Sequence, residues 1–440
     1  MSDKNWANSI SRPNVVLLIA DDLGYGETSI QGSKDIPTPH IDSIAEKGVR
    51  FTSAYVTSPY CSASRAGLIT GRIQNRFGYE FNPIGAQNEE RGLGLPSSEV
   101  TIAETLQKAG YATGLIGKWH LGGSAPFHPN RHGYDYFYGF THEGHFFVPP
   151  PYSGVVTMLR RQVLPDGTKG RWTSEDKSLI LSTHMGNSEP DYDANNPIVR
   201  QSQPINETRY LTDVFTDEAV RFIQHHKERP FFLTVGWSAV HSPLQGAYHY
   251  MDRFKHIKDR HRRIFAAMLS NLDDGVGSIL EALKKLKLTT QTIVIFLSDN
   301  GGPTRELTSS NFPLRGGKGT MFEGGLRIPF FVSWPGHLKP NQVSDAAISS
   351  LDIFPSLLEV IEGTKEPKAA LDGISWWSTN DDSQVSLMNQ SNRHFFWKLG
   401  KRQALRFDDW KIVKHLSADW ELYRINSDPM ESKNLSNEFP

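Results

Sequence analysis

Cysteine is nearly absent: the 440 residues include one, Cys61. A single thiol cannot close a disulfide within the chain, so no cystine framework supports the fold and the redox compartment stays open. An excess of charge of either sign is also lacking, with 47 Lys and Arg against 48 Asp and Glu, a net charge of −1. Bulk attraction to nucleic acid or to an anionic membrane is therefore not expected, although a pocket needs only a few local cations to hold a small anion. No apolar run approaches the ~20 residues that a membrane span requires. The opening MSDKNWANSISRPN lacks the basic segment and apolar stretch of a secretory leader. Localisation is thereby left open: periplasmic or secreted if a leader has been removed. Internal repeats and low-complexity tracts are missing as well.

What is present suits a large layered domain. Hydrophobic residues make up 38% and aromatics 11%, enough for a sizeable core. Short continuous apolar runs, PNVVLLIA (13–20), ATGLIG (112–117), PFFLTVGW (230–237), TIVIFLS (292–298) and RIPFFVSW (327–334), read as strands covered on both faces. Between them HIDSIAEKG (40–48), VTIAETLQKAG (100–110), FTDEAVRFIQHH (215–226) and FAAMLSNLDDGVGSILEALKKL (265–286) repeat apolar residues at helical spacing. The alternation predicts an α/β fold, a large mostly parallel sheet sandwiched by helices, over residues 12–362. Residues 141–210 are rich in Pro, Gly, Ser and Asn and read as an insertion facing a substrate. After the helix LDIFPSLLEVIE (351–362), residues 363–392 read as a polar linker. Residues 393–440 read as a small antiparallel α+β subdomain.

In open α/β sheets, ligands bind beyond the carboxyl ends of the strands. There the sequence places Asp21-Asp22, Lys118-Trp119-His120, His241 and Asp299-Asn300. Singly, such an Asp is most often a cap or turn residue and such a His a structural one. Together they form a hard, oxygen-rich set that suits calcium or magnesium rather than zinc. Carboxylates gathered this closely need a cation between them to stay ionised. Cys61 precedes the helical SRAGLIT, near a positive helix end and one turn before Arg65. A lone cysteine is commonly buried and inert, but Tyr60, Ser62, Ser64 and Arg65 make these surroundings polar.

The stretch CSASR followed by LITGR, together with PNVVLLIADDLGYGE, TGLIGKWHLG, FLSDNGG, PLRGGKGTMFEGGLRIPF and the ELYRINSDPMESKNL tail, resembles the formylglycine-dependent type I sulfatases over nearly the whole chain. Ala63 stands where that family most often has proline. The resemblance implies the alkaline-phosphatase-like superfold and hydrolysis of sulfate esters. It implies that Cys61 is oxidised by a formylglycine-generating enzyme to an aldehyde whose hydrate attacks sulfur and then expels sulfate. It further implies that Asp21, Asp22, Asp299, Asn300 and residue 61 hold Ca2+, with Mg2+ as the alternative. Arg65 would stabilise the nucleophile, His120 would assist its collapse, and Lys118 and Lys318 would bind sulfate oxygens. His241 would bind them too, or protonate the leaving oxygen.

THEGHFFVPPPYSG points to a sulfated carbohydrate, with His142, Glu143 and His145 as hydrogen-bonding groups and Phe146, Phe147 and Tyr152 as flat faces for a sugar ring. Arg315 completes the substrate-binding candidates. Two rivals remain at this stage. One is a phosphonate or phosphate monoester hydrolase of the same superfold. The other is a calcium-bound carbohydrate-binding pseudoenzyme whose Cys61 stays unmodified.

Overall fold

The computed structural model describes residues 12–184, 186–190, 192–304, 308–379, 385–387, 393–416 and 418–439. Its main sheet has ten strands in the order Gln342–Ser349, Gly48–Tyr55, Phe330–Ser333, Thr292–Ser298, Asn14–Ala20, Phe231–Gly236, Ala112–Lys118, Tyr136–Phe140, Val199–Arg200 and Gln203–Pro204. The five neighbours from Thr292–Ser298 to Tyr136–Phe140 pair in parallel. The run RIPFFVSW departs from that direction: Phe330–Ser333 lies antiparallel between Thr292–Ser298 and Gly48–Tyr55. Continuous apolarity reports cover on both faces and carries no information about strand direction.

Alternation along the central strand divides the core in two. Val16, Leu18 and Ala20 join one apolar cluster with the helices Pro39–Glu46, Leu211–His226 and Arg260–Lys285. Val15, Leu17 and Ile19 join the other with the helices Cys61–Thr70, Ile102–Lys108 and Ile353–Val360. The result is helix, sheet, helix. Burying a side chain of this size contributes about 1.5–3 kcal/mol, so both faces of the sheet are needed to hold the layers.

The stretch 141–210 folds further than its composition suggests. Val155–Arg160, Arg171–Thr173 and Leu179–Ser182 form a second sheet with Leu244–Ala247 from the main domain. Near the C-terminus, His394–Leu399, Arg402–Phe407, Trp410–Lys414 and Glu421–Arg424 make an antiparallel meander. Its inner face, Phe395, Trp397, Ala404, Val413 and Tyr423, packs on Tyr55, Met321, Phe322 and Leu326. The residues read as a linker between these units lie partly outside the described residues. Among the described residues, no helix is long and apolar enough to cross a membrane.

Candidate active site

Because the central strands are parallel, their carboxyl ends share one edge, and the backbone ties those ends together. The Asp21 amide donates to the Ala239 carbonyl (3.0 Å), the Val240 amide to the Asp21 carbonyl (2.9 Å), and the Asp299 amide to the Ala20 carbonyl (3.1 Å). Asp22 and His120 have φ of 65° and 57°, a left-handed conformation that costs a non-glycine residue about 1 kcal/mol or more. Both are fully buried, and the surrounding ties hold that strain while aiming the side chains inward.

Cys61 opens the helix Cys61–Thr70, whose ten residues are all buried. A Cβ on Gly67 would fall 2.4 Å from Thr57 Oγ1, so the bare glycine backbone lets the loop that leaves the strand Gly48–Tyr55 lie against this helix. Ser62 then links the helix start to the neighbouring strand end: its hydroxyl donates to the His120 carbonyl at 2.7 Å, and its amide donates to Asn82 Oδ1 at 3.0 Å. Cys61 Sγ lies 4.0 Å from Asp22 Oδ1. Burial pushes the thiol up to about 12 despite Lys118 and Lys318 nearby. The unmodified group is a protonated thiol there, not the thiolate that cysteine nucleophiles require.

Cations and carboxylates alternate around it. Lys118 Nζ donates to Asp21 Oδ2 at 2.6 Å, Lys318 Nζ to Asp22 Oδ2 at 2.9 Å, and Arg65 Nε to Asp299 Oδ2 at 2.9 Å. Lys318 reaches its place because Gly317 has no Cβ, which would stand 2.4 Å from the Gly302 carbonyl oxygen. Burial and the Asp299 charge raise the Asp21 carboxyl to about 7, with Lys118 opposing. Burial acts likewise on Asp22, but Lys318, by its charge and its hydrogen bond, outweighs it and holds that carboxyl near 2.

Both histidines are kept neutral, chiefly by burial, with Lys118 beside His120 and Lys318 beside His241 adding to the effect. The contact of His120 Nε2 with the Pro83 carbonyl (3.0 Å) places the proton on Nε2. That leaves Nδ1 as a buried lone pair with no partner among the described residues. His241 spends Nδ1 on the Ser242 carbonyl (2.6 Å) and turns Nε2 to within 3.7 Å of Asp22.

The residues fit a metal ion. Asp21 Oδ1 and Asn300 Oδ1 are buried oxygens with no partner among the described residues, and an oxygen so placed is costly unless something binds it. Asp21, Asp22, Cys61 and His241 each offer a ligand atom, all within 4.8 Å of one another. Asp299 is oriented alongside, its Oδ1 accepting from the Asp22 amide at 3.2 Å. Carboxylates and an amide oxygen form a hard donor set.

A cavity of about 350 Å3 opens onto this cluster, with Asp22, Cys61, His120, His241 and Lys318 in its wall. Arg65, Lys118, Asp21, Asp299 and Asn300 lie beneath the surface as supporting groups, all fully buried. Of the substrate-binding candidates, Glu143 lines the cavity. His142 pairs with Glu89 at 2.6 Å and faces an adjoining hollow of about 240 Å3. His145 contacts the Phe146 carbonyl and packs on Phe140. Arg315 is held elsewhere: it stacks on Phe322 and donates to Glu421, Tyr423 and the Glu431 carbonyl, tying the C-terminal sheet to the main domain. Phe146 and Phe147 are 6% and 1% exposed and fill core clusters. They offer no free face to a sugar ring, a correction to the sequence reading. Sequence reasoning passed over Asn82, Ile84, Arg160, Asn187, Ser188 and Pro190, which also line the wall. No local pattern marks any of them.

The profile of the sulfatase family matches residues 13–364, and that of the N-sulphoglucosamine sulphohydrolase C-terminal region matches residues 317–439. The chain is 31% identical to N-acetylgalactosamine-6-sulfatase of Mus musculus, covering 96% of this chain and 76% of that protein. It is 31% identical to N-acetylgalactosamine-6-O-sulfatase of Bacteroides thetaiotaomicron, covering 99% and 92%. It superposes on the crystal structure of Ps i-CgsB in complex with k-i-k-neocarrahexaose with a TM-score of 0.83 at 32% identity, covering 97% of this chain and 89% of that one.

Proposed function

The chain belongs to the sulfatase family and is a sulfuric ester hydrolase, and we propose that its substrate is a sulfated carbohydrate, cleaved with a formylglycine made from Cys61 and a calcium ion. One observation carries this reading. Cys61 stands at a cavity wall 4.0 Å from Asp22, in a cluster with buried oxygens of Asp21 and Asn300 that have no partner among the described residues. Similarity to two N-acetylgalactosamine-6-sulfatases and to a sulfatase-like fold bound to an oligosaccharide supports a sugar as the alcohol half of the ester.

Asp21, Asp22, Asp299 and Asn300 would hold the ion, which supplies positive charge to the nucleophile at position 61 and to the sulfate. Formylglycine supplies a hydrated aldehyde, whose second hydroxyl gives the reaction a release step that a serine or cysteine ester lacks. The chain's own groups do the rest. Lys318, in the cavity wall, neutralises sulfate oxygens, while Lys118, buried behind Asp21, adds positive charge from beneath, and because both are fixed in ion pairs, no reorganisation is needed as charge shifts to the leaving oxygen. Arg65, anchored by Asp299 and by the Lys118 carbonyl (3.0 Å), stabilises negative charge at residue 61. His120 accepts a proton at Nδ1, and His241 meets the ester or leaving oxygen through Nε2. In this reading the catalytic unit spans 12–362, with 141–210 as its substrate-facing insertion.

Mass spectrometry of the tryptic peptide ending at Arg65, from protein made together with a formylglycine-generating enzyme, should show the thiol replaced by an aldehyde or its hydrate. The same preparation should release sulfate from sulfated sugars. An unmodified thiol in a preparation that turns over would overturn the assignment of the nucleophile.

A further inference from the structure

Val155–Arg160 and Leu244–Ala247 pair antiparallel, with Thr157 opposite Gln245 and Met158 opposite Leu244. Val155–Arg160 runs on beyond this pairing to Arg160, and Arg160 and Ser242, the residue after His241, both line the catalytic cavity. The inserted segment thus delivers a guanidinium to the active site along the strand that follows His241.

That guanidinium is fixed before any substrate arrives. Arg160 Nε and Nη2 donate to Glu189 Oε1 and Oε2 at 2.8 and 2.7 Å. The Glu189 amide donates to the Arg160 carbonyl at 3.0 Å, and the Tyr192 hydroxyl donates to Glu189 Oε2 at 3.0 Å. Glu189 takes two of the five guanidinium hydrogens and matches its charge, and Tyr192 also hydrogen-bonds the group, so at most two hydrogens stay available to a ligand. Glu143 stands in the same wall. One of its oxygens accepts from the Gly85 amide and the other from Asn88 Nδ2, each at 2.8 Å, so each keeps a lone pair. With Arg160 answered by Glu189, Glu143 is the carboxylate in this part of the wall that has no cation paired to it among the described residues.

We propose that Arg160 and Glu143 are specificity-determining residues that read a free hydroxyl beside the sulfated carbon and reject a sugar carrying a second sulfate there. The inference rests on the carbohydrate reading given above and narrows it. A hydroxyl donates to Glu143 and accepts from Arg160 at once. A second sulfate has no hydrogen for Glu143 and brings like charge against it, while the charge of Arg160 is already answered by Glu189. A buried carboxylate left facing an anion discriminates far more strongly than a missing contact does.

The test compares kcat/KM on a monosulfated disaccharide that the enzyme hydrolyses, on its counterpart with a second sulfate on the adjacent hydroxyl, and on 4-nitrophenyl sulfate. Wild-type enzyme should favour the monosulfated sugar by about tenfold or more. Arg160→Lys keeps a charge for Glu189 but loses the fork. It should lose about tenfold more on the monosulfated sugar than on the aryl ester, mainly through KM. Glu143→Gln should narrow the preference between the two sugars. Equal turnover of both sugars by the wild type overturns the inference without recourse to any variant. So does an equal loss by Arg160→Lys on sugar and aryl ester, and in both cases the carbohydrate reading still stands. Cleavage of the aryl ester with no sulfate released from any saccharide overturns both.

Discussion

Lys118 Nζ stands 2.6 Å from Asp21 Oδ2, and neither side chain has any exposure to solvent. Adjacent to this pair, burial and Asp299 raise the Asp21 carboxyl to about 7 even with the lysine in contact. Breaking a buried pair by removing one partner costs about 3–5 kcal/mol, because the remaining charge is stranded. Lys118→Ala should therefore lower the unfolding free energy by that order, measured by chemical unfolding. It should also reduce kcat, since Asp21 loses the cation that holds it in place beneath the cavity. Near-wild-type turnover would show that this pair is not needed by the proposed chemistry.

Cys61→Ala tests the nucleophile directly. The side chain is buried among Asp22, Lys318 and the neighbouring strand ends, and alanine removes only its sulfur. The fold should survive with a small change in melting temperature, while sulfate release falls to background in a discontinuous sulfate assay. Residual activity above a few per cent of wild type would point to a different group.

Chelation should act on stability as well as on rate. Asp21, Asp22 and Asp299 are buried carboxylates crowded at one strand edge, and a cation that binds only the folded state stabilises it by about 2.7 kcal/mol at 100 times its dissociation constant. Treatment with EGTA should lower the melting temperature and abolish turnover, and added Ca2+ should restore both. Asp22→Ala or Asp299→Ala should melt at the same temperature with and without Ca2+. Elemental analysis finding stoichiometric zinc would contradict the hard-donor reading.

The candidate edge was legible because short-range rules place it. A buried parallel strand ends, and the next residues are the ones gathered at the candidate site, as at Ala20 before Asp21, Ser298 before Asp299, and Lys118 before His120. Arg160 has no such marker. It reaches the cavity through pairing between Met158 and Leu244, a contact between distant parts of the chain that no local periodicity encodes. The aromatics of 146–147 failed for another reason. Composition does not distinguish a ring that fills a core from one that lines a groove, and here Phe146 packs on Tyr152 and Tyr192 and Phe147 on Tyr210.

The contact between the C-terminal sheet and the main domain should impose its own pH dependence. Lys411 lies between Glu323 and Glu431, 2.8 Å from Glu323 Oε1 and 2.9 Å from Glu431 Oε1, with all three side chains buried. Burial raises both carboxyls. For Glu323 it is outweighed by Lys411, Arg327 and Arg406, which bring that group to about 2. Glu431, with Lys411 opposing burial and the Glu323 charge adding to it, rises from 4.5 to about 7. The signs follow from which state binds the proton. Between pH 4.5 and 7 the folded protein keeps a proton on Glu431 that the unfolded chain has released, so stability falls as pH rises, by at most about 1.4 kcal/mol per unit. Between pH 4.5 and 2 the unfolded chain takes up a proton that Glu323 refuses in the fold, so stability falls as pH drops. Glu431→Gln keeps a neutral side chain at every pH and should remove the first limb alone. Near pH 5 variant and wild type should unfold at similar temperatures. Toward pH 8 the variant should become the more stable relative to wild type, as read by thermal unfolding at a series of pH values. A difference that stays constant across that range would show that Glu431 is ionised in the fold throughout.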